Sequence, residues 1–169
     1  MGDAADASAA TGSNAEGGKL DRFDRAILAL YQADTRLTSE AIGSSVGLSA
    51  DAVQRRIKRM RAAKVIRAEV ARLDGRALGL PITCVVAVDV EYERSEQVDA
   101  FKRKMLTLPE VQQCYYVTGP WDFMLVVKAR DMEDYEQFTR RTFLNDGNVR
   151  SFVTHVVMDE VKAGLSLPL

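Results

Sequence analysis

The chain has 169 residues, 47% hydrophobic and 28% charged, with a net charge of −1; this is the composition of a globular protein long enough for one large domain or two small ones, and no apolar run reaches membrane-spanning length. Two cysteines, Cys84 and Cys114, and one histidine, His155, exclude a disulfide framework, the zinc clusters and every motif that needs two imidazoles, so no metal and no cofactor is expected. The near neutrality is a cancellation: residues 1–18 carry a net −3, residues 19–80 carry 13 Lys and Arg against 7 Asp and Glu, and residues 81–169 carry 10 against 14.

Residues 1–18 include twelve Ala, Gly or Ser and no large apolar side chain after Met1. Nothing there repays the entropy of ordering, so a disordered tail is expected. It lacks the basic start and apolar run of a signal peptide, which makes a cytoplasmic location the expectation. From Leu20, the residues Phe23, Ile27, Leu30 and Tyr31 follow at three- and four-residue spacings, predicting a helix that ends near Asp34. Thr38 offers an N-cap, Ile42 and Val46 a short stripe, and Gly47 a stop, which predicts a brief second helix. Ser49 caps again, and Val53, Ile57 and Met60 continue with helical spacing to about Ala63. Short helix, glycine-containing turn and longer capped helix form the helix-turn-helix pattern, here expected over residues 19–66.

Between Arg55 and Arg67 stand seven bases (Arg55, Arg56, Lys58, Arg59, Arg61, Lys64, Arg67) and no acid. A scattered charge run is usually a solvated face. This one lies on and just beyond the helix that would enter a major groove, which favours phosphate binding. Ser49, Ala50, Asp51, Gln54 and Arg55 occupy the helix start that meets base edges, with Gln54 suited to adenine and Arg55 to guanine, while Lys58 and Arg59 are placed for phosphates. Aromatics in residues 19–80 are confined to Phe23 and Tyr31 on the apolar stripe, which points to double-stranded DNA rather than to a single strand read by stacking.

An extended segment follows, Ile66–Leu73, closed by Asp74, Gly75 and Gly79; it predicts a linker strand and turn over 67–80. Pro81 opens a second unit, expected over 81–162 with a tail at 163–169. Ile82 to Tyr92 alternate as a strand with one wholly apolar face. Val98, Phe101, Met105 and Leu108 predict a helix stopped at Pro109. Val111–Thr118 and Trp121–Ala129 form a hairpin through Gly119 and Pro120, Asp131–Leu144 a helix, and Val149–Val161 a last strand. Strand, helix, strand, strand, helix, strand is the ferredoxin-like βαββαβ arrangement, so the fold class is α+β, with an N-terminal helix-turn-helix (winged-helix-like) domain. Two helices cover one face of such a sheet. The other face, also apolar, is expected to meet a second copy of the chain.

On the residues Leu20–Leu28 (LDRFDRAIL), Val46–Ser49 (VGLS), Arg56–Met60 (RIKRM) followed by Val65 and Ile66, Val117–Phe123 (VTGPWDF) and Val156–Lys162 (VVMDEVK), the chain resembles the Lrp/AsnC, or feast/famine, family of transcription regulators from Leu20 to Lys162. The resemblance implies a DNA-binding regulator, not an enzyme, which forms homodimers that assemble into octamers or related multimers and responds to an amino acid or similar effector. Carried over by residue, it places the effector at Gly119, Pro120, Trp121 and Asp122, with Met132, Thr154 and His155. Backbone donors at the glycine turn suit a carboxylate, and Asp122 suits an α-ammonium group. The bland readings are a turn glycine, a core tryptophan, a turn-capping aspartate and packed strand residues. Pro120 and Trp121 depart from the family's flexible polar residue and smaller side chain. Two other classes share this architecture: an enzyme resembling the sirohaem decarboxylases, disfavoured by the single histidine and the basic third helix, and an architectural DNA-compacting protein.

Overall fold

The computed structural model describes residues 19–92 and 94–169, and the expected N-terminal tail lies outside them. The chain divides into two compact units, residues 72–163 and the remainder, with residues 164–169 grouped with the N-terminal unit. Among the described residues no helix is long and apolar enough to cross a membrane.

The N-terminal unit is three helices. Helix α1 (Arg22–Ala33) starts in a capping box: Asp21 accepts from Asp24 N at 2.8 Å and Asp24 accepts from Asp21 N at 3.1 Å, so two of the free amides of the first turn are satisfied reciprocally. Helix α2 (Ser39–Val46) is capped by Thr38 and ends at Gly47, whose φ of +76° is the left-handed value expected of a C-cap glycine. Helix α3 (Ala50–Ala62) is capped by Ser49. Ile27, Tyr31, Ile42, Val53, Ile57 and Met60 form the buried core, flanked by Leu20, Leu28, Leu30, Val46, Leu48 and Ile66. Each helix thus buries the stripe that its spacing foretold, except that Phe23 stays half-buried outside the core, with the Arg22 guanidinium 4.7 Å from its ring centre. Beyond α3, Lys64 takes the left-handed conformation (φ +56°), and the Val65 and Ile66 amides both bond to Met60 O. No described residue from 67 to 74 joins a ladder. The expected linker strand is therefore not formed among the described residues.

In the second unit the order is β1 (Ile82–Val90), α4 (Ser95–Thr107), β2 (Val111–Tyr116), β3 (Phe123–Ala129), α5 (Met132–Thr139), continued by a π-helical turn at Arg140–Leu144, and β4 (Val149–Val156). The sheet runs β2-β3-β1-β4, every pair antiparallel, which is the expected ferredoxin-like topology. Cys84, Val86, Val88 and Val90 of β1 and Phe123, Leu125, Val127 and Ala129 of β3 pack under the helices with Val98, Phe101, Met105, Tyr135, Phe138 and Phe143. The rings of Phe101 and Phe123 stand 4.5 Å apart, and Phe138 meets Phe143 edge-on at 5.5 Å. The last strand is shorter than its apolar pattern predicted. Its final bond is Val157 N to Thr83 O at 2.9 Å; the ladder then runs out against the start of β1, where Pro81 has no N–H to offer.

Strand register fixes the two faces. Val85 and Ala87 of β1 pair with Val126 and Met124 of β3 and with His155 and Val153 of β4, so these six side chains share the face away from α4 and α5.

Candidate nucleic-acid interface and candidate effector site

Helix α3 buries Val53, Ile57 and Met60. The 3.6-residue period therefore turns Asp51, Gln54, Arg55 and Lys58 outward, and these four, with Ser49, Ala50 and Arg59, are all exposed. The expected DNA-contacting residues lie together on and before one open helix face. Ser49 has a second occupation there, since its hydroxyl accepts from Ala52 N at 3.2 Å.

The seven bases are not equivalent. Arg56 Nη1 donates to Asp21 Oδ2 and to Asp24 Oδ1, each at 2.8 Å, and Arg59 Nη2 donates to Asp24 Oδ2 at 2.6 Å. Arg61 donates to Glu69 Oε1 and to the Tyr31 hydroxyl, each at 2.7 Å. The Asp24 amide and the Arg56 guanidinium hold the Asp21 carboxyl below its ordinary range, and Asp21 and Asp24 in turn raise Arg56. Burial pushes the Tyr31 phenol up, and the nearby Glu69 carboxylate adds to this while the Arg61 guanidinium opposes it. Arg55, Lys58, Lys64 and Arg67 have no carboxylate partner among the described residues. Sequence reading missed these acids; the available signal was the i, i+3 spacing of Asp21 and Asp24 at a helix start, the mark of a capping box.

The expected effector residues are dispersed. In the hairpin the Val117 amide bonds to Asp122 O at 2.9 Å, leaving a loop of Thr118, Gly119, Pro120 and Trp121. Gly119 has φ +129°, and the amides of Thr118, Gly119 and Trp121 bond to no other described residue. Asp122 is half-buried and lies beside the strand bulge at Asp89/Val90: its Oδ2 accepts from Val90 N at 2.8 Å, and its own amide bonds to Val88 O. Its Oδ1 has no partner among the described residues. Met132, 49% exposed, follows the far end of β3. That strand pairs Phe123 with Val88 and Ala129 with Ile82, six positions apart, or roughly 20 Å at strand rise. Thr154 lies under the helices, its Oγ1 2.6 Å from the Tyr135 hydroxyl; burial, partly offset by this bond, lifts the Tyr135 phenol to about 12. His155 is exposed on the opposite face. One chain therefore does not gather Gly119–Asp122, Met132, Thr154 and His155 into one pocket, because strand alternation separates the last two and the length of the sheet separates the turn from Met132.

Residues 20–61 match the family model of the AsnC-type helix-turn-helix domain, and residues 83–167 that of the Lrp/AsnC ligand binding domain. The chain is 48% identical over 151 residues to an uncharacterized HTH-type transcriptional regulator, y4tD, of Sinorhizobium fredii, covering 89% of each protein. It is 29% identical to the DNA-binding transcriptional activator DecR of Escherichia coli K12, covering 89% of this chain and 99% of that one. Among solved structures it superposes with a TM-score of 0.82 on the Neisseria meningitidis regulator NMB0573 in its complex with L-Met, at 28% identity and with 89% and 97% of the chains covered. An AsnC family regulator from Agrobacterium tumefaciens also gives 0.82, at 30% identity and with 88% and 97% covered.

Proposed function

The chain belongs to the Lrp/AsnC family of HTH-type, DNA-binding transcriptional regulators, and from that premise we propose that it reads a specific double-stranded DNA sequence under the control of an amino acid. The observation that carries the reading is the open face of α3, where Gln54 and Arg55 stand at the end that meets base edges and Lys58 lies one turn further along. Gln and Arg have the bidentate geometry for adenine and guanine, while a lysine supplies a point charge for phosphate.

The second copy of the chain is the other part of the proposal. Val85, Met124, Val126 and Val153 form an apolar surface that α4 and α5 leave open to solvent, and a two-fold contact through it would present two α3 helices to half-sites about one helical turn, or a multiple of it, apart. Octamers or related multimers follow when such dimers meet through further surfaces. The effector contacts the free amides at Gly119 through its carboxylate and Asp122 Oδ1 through its ammonium group. Dispersal of the remaining candidates over one chain supports a pocket completed by another copy, and an effector binding only the complete pocket favours that assembly by its differential affinity.

DNA selected from a random duplex pool at fixed salt, compared with its scrambled counterpart, tests the reading. Arg55→Gln is expected to change the preferred base and to cost about 1–3 kcal/mol on the selected site. Lys58→Gln should weaken both duplexes alike. Unchanged affinity in both variants refutes the assignment. A thermal-shift screen of the twenty amino acids identifies the effector by the stabilisation that native-state binding produces, and no shift with any of them refutes the effector half.

A further inference from the structure

Three of the seven bases from Arg55 to Arg67 are already matched with carboxylates. Two of these, Arg56 and Arg59, form a closed cluster with Asp21 and Asp24: two positive and two negative charges joined by contacts of 2.8, 2.8 and 2.6 Å. Asp24 is only 1% exposed. If Arg56 and Arg59 turned away to phosphates, Asp24 would be left as a buried, uncompensated carboxylate, which is far more costly than losing a surface pair. Arg59, with its side chain 57% exposed, is close enough to the open face to touch a phosphate, but the cluster it belongs to carries no net charge. A phosphate near it meets a neutral group and releases few counterions.

We propose that Asp21 and Asp24 are specificity-determining residues: by neutralising Arg56 and Arg59 they, with Glu69 at Arg61, leave Arg55, Lys58, Lys64 and Arg67 as the unpaired charges of the basic run on and just beyond α3, and so restrain binding to DNA of arbitrary sequence. The proposal rests on the DNA-binding reading above. Non-specific affinity comes almost wholly from phosphate neutralisation, whereas base contacts add the sequence-dependent part. An additional free arginine therefore strengthens binding to every sequence and reduces the ratio between the right site and the rest.

Affinity measured from 50 to 200 mM salt on the selected and scrambled duplexes decides the matter. Asp24→Asn keeps the shape and removes one charge. Asp21→Asn removes one charge from the same cluster at a half-exposed position and keeps a residue that caps equally well, so it serves if the buried variant does not fold. Each variant should bind scrambled DNA several-fold more tightly at the low-salt end. Each should also lose affinity more steeply with salt, by roughly a further threefold per domain over this range for one added phosphate. The ratio of selected to scrambled affinity should fall. A purely structural role would instead weaken both duplexes with the salt slope unchanged. Wild-type slopes in Asp21→Asn, with the wild-type protein binding its selected site, overturn the proposal; failure of the wild type to bind any duplex overturns the DNA reading beneath it.

Discussion

Asp122 Oδ2 accepts the Val90 amide at 2.8 Å where β1 changes register, so the residue assigned to the effector's ammonium group also holds a strand bulge. The two duties separate by substitution. Asp122→Asn keeps an acceptor oxygen for Val90 and removes the charge, so the midpoint of urea unfolding should stay close to wild type while calorimetry shows weaker effector binding. Asp122→Ala leaves the Val90 amide unpaired in a half-buried place and should cost about 1–3 kcal/mol in the same unfolding measurement. Equal effector affinity in Asp122→Asn would leave the residue with its structural duty alone. Asp146 offers a second case at this scale. Burial pushes its carboxyl up, but the 2.7 Å bond from Lys104 and the Asn148 amide outweigh this and hold it below its ordinary 3.8. A carboxyl lowered in the folded state stabilises fully above its unfolded value and loses that contribution as pH falls through the folded one. Stability of the second unit should therefore decline below pH 3.8, and Asp146→Asn should be less stable at neutral pH and flatter through the acid range in urea titrations.

Among the elements, the turn between α2 and α3 is the one whose geometry leaves least latitude. A Cβ built on Gly43 would stand 2.4 Å from Leu48 O. Gly43 O itself accepts the Gly47 and Leu48 amides at 2.8 and 3.0 Å, so the helix and the turn that follows it touch through main-chain atoms with no flexible side chain to give way. Gly47 is different: a side chain there meets nothing within 4 Å, but its φ of +76° suits few residues other than glycine. Gly43→Ala is expected to destabilise the N-terminal unit by about 2 kcal/mol, in the range of overpacked interiors, even though alanine is the better helix former. Gly47→Ala should cost about 1 kcal/mol, the penalty for a left-handed alanine. Thermal unfolding orders the two, and a Gly43→Ala protein as stable as wild type would show that the turn can open. DNA affinity should fall with Gly43→Ala, since α3 is aimed by this turn.

For the whole molecule the decisive surface is the uncovered face of the sheet. Val126 sits opposite Val85 near its middle, and an aspartate there would place a charge in the proposed contact without touching the core under α4 and α5. Val126→Asp is expected to sediment as a monomer with a native circular-dichroism spectrum, and to bind palindromic DNA more weakly than a single half-site loss explains, because the two α3 helices no longer arrive together. A Val126→Asp protein with wild-type sedimentation would remove this face from consideration as the dimer contact.

The sequence by itself determined the elements and their order. Helical and strand periodicities are local, and so are Asp21, Thr38 and Ser49 at the helix starts and Gly47 at a helix end; the three N-terminal helices formed where their own residues called for them, and the ferredoxin-like order followed from the succession of the later elements. The resemblance in both halves carried the family. Only the tertiary structure decided what depends on residues far apart in the chain: that Arg56 and Arg59 are matched by Asp21 and Asp24 more than thirty positions earlier, that Asp122 holds the Val90 amide, and that Tyr135 meets Thr154 under the helices. The limits of β4 were also set from outside, by where β1 begins. Apolar pattern fixes which side of an element turns inward, because burial is non-directional and roughly proportional to area. Charge pairing and pocket assembly require particular atoms to meet within about 3 Å, and that is settled by the packing of distant segments.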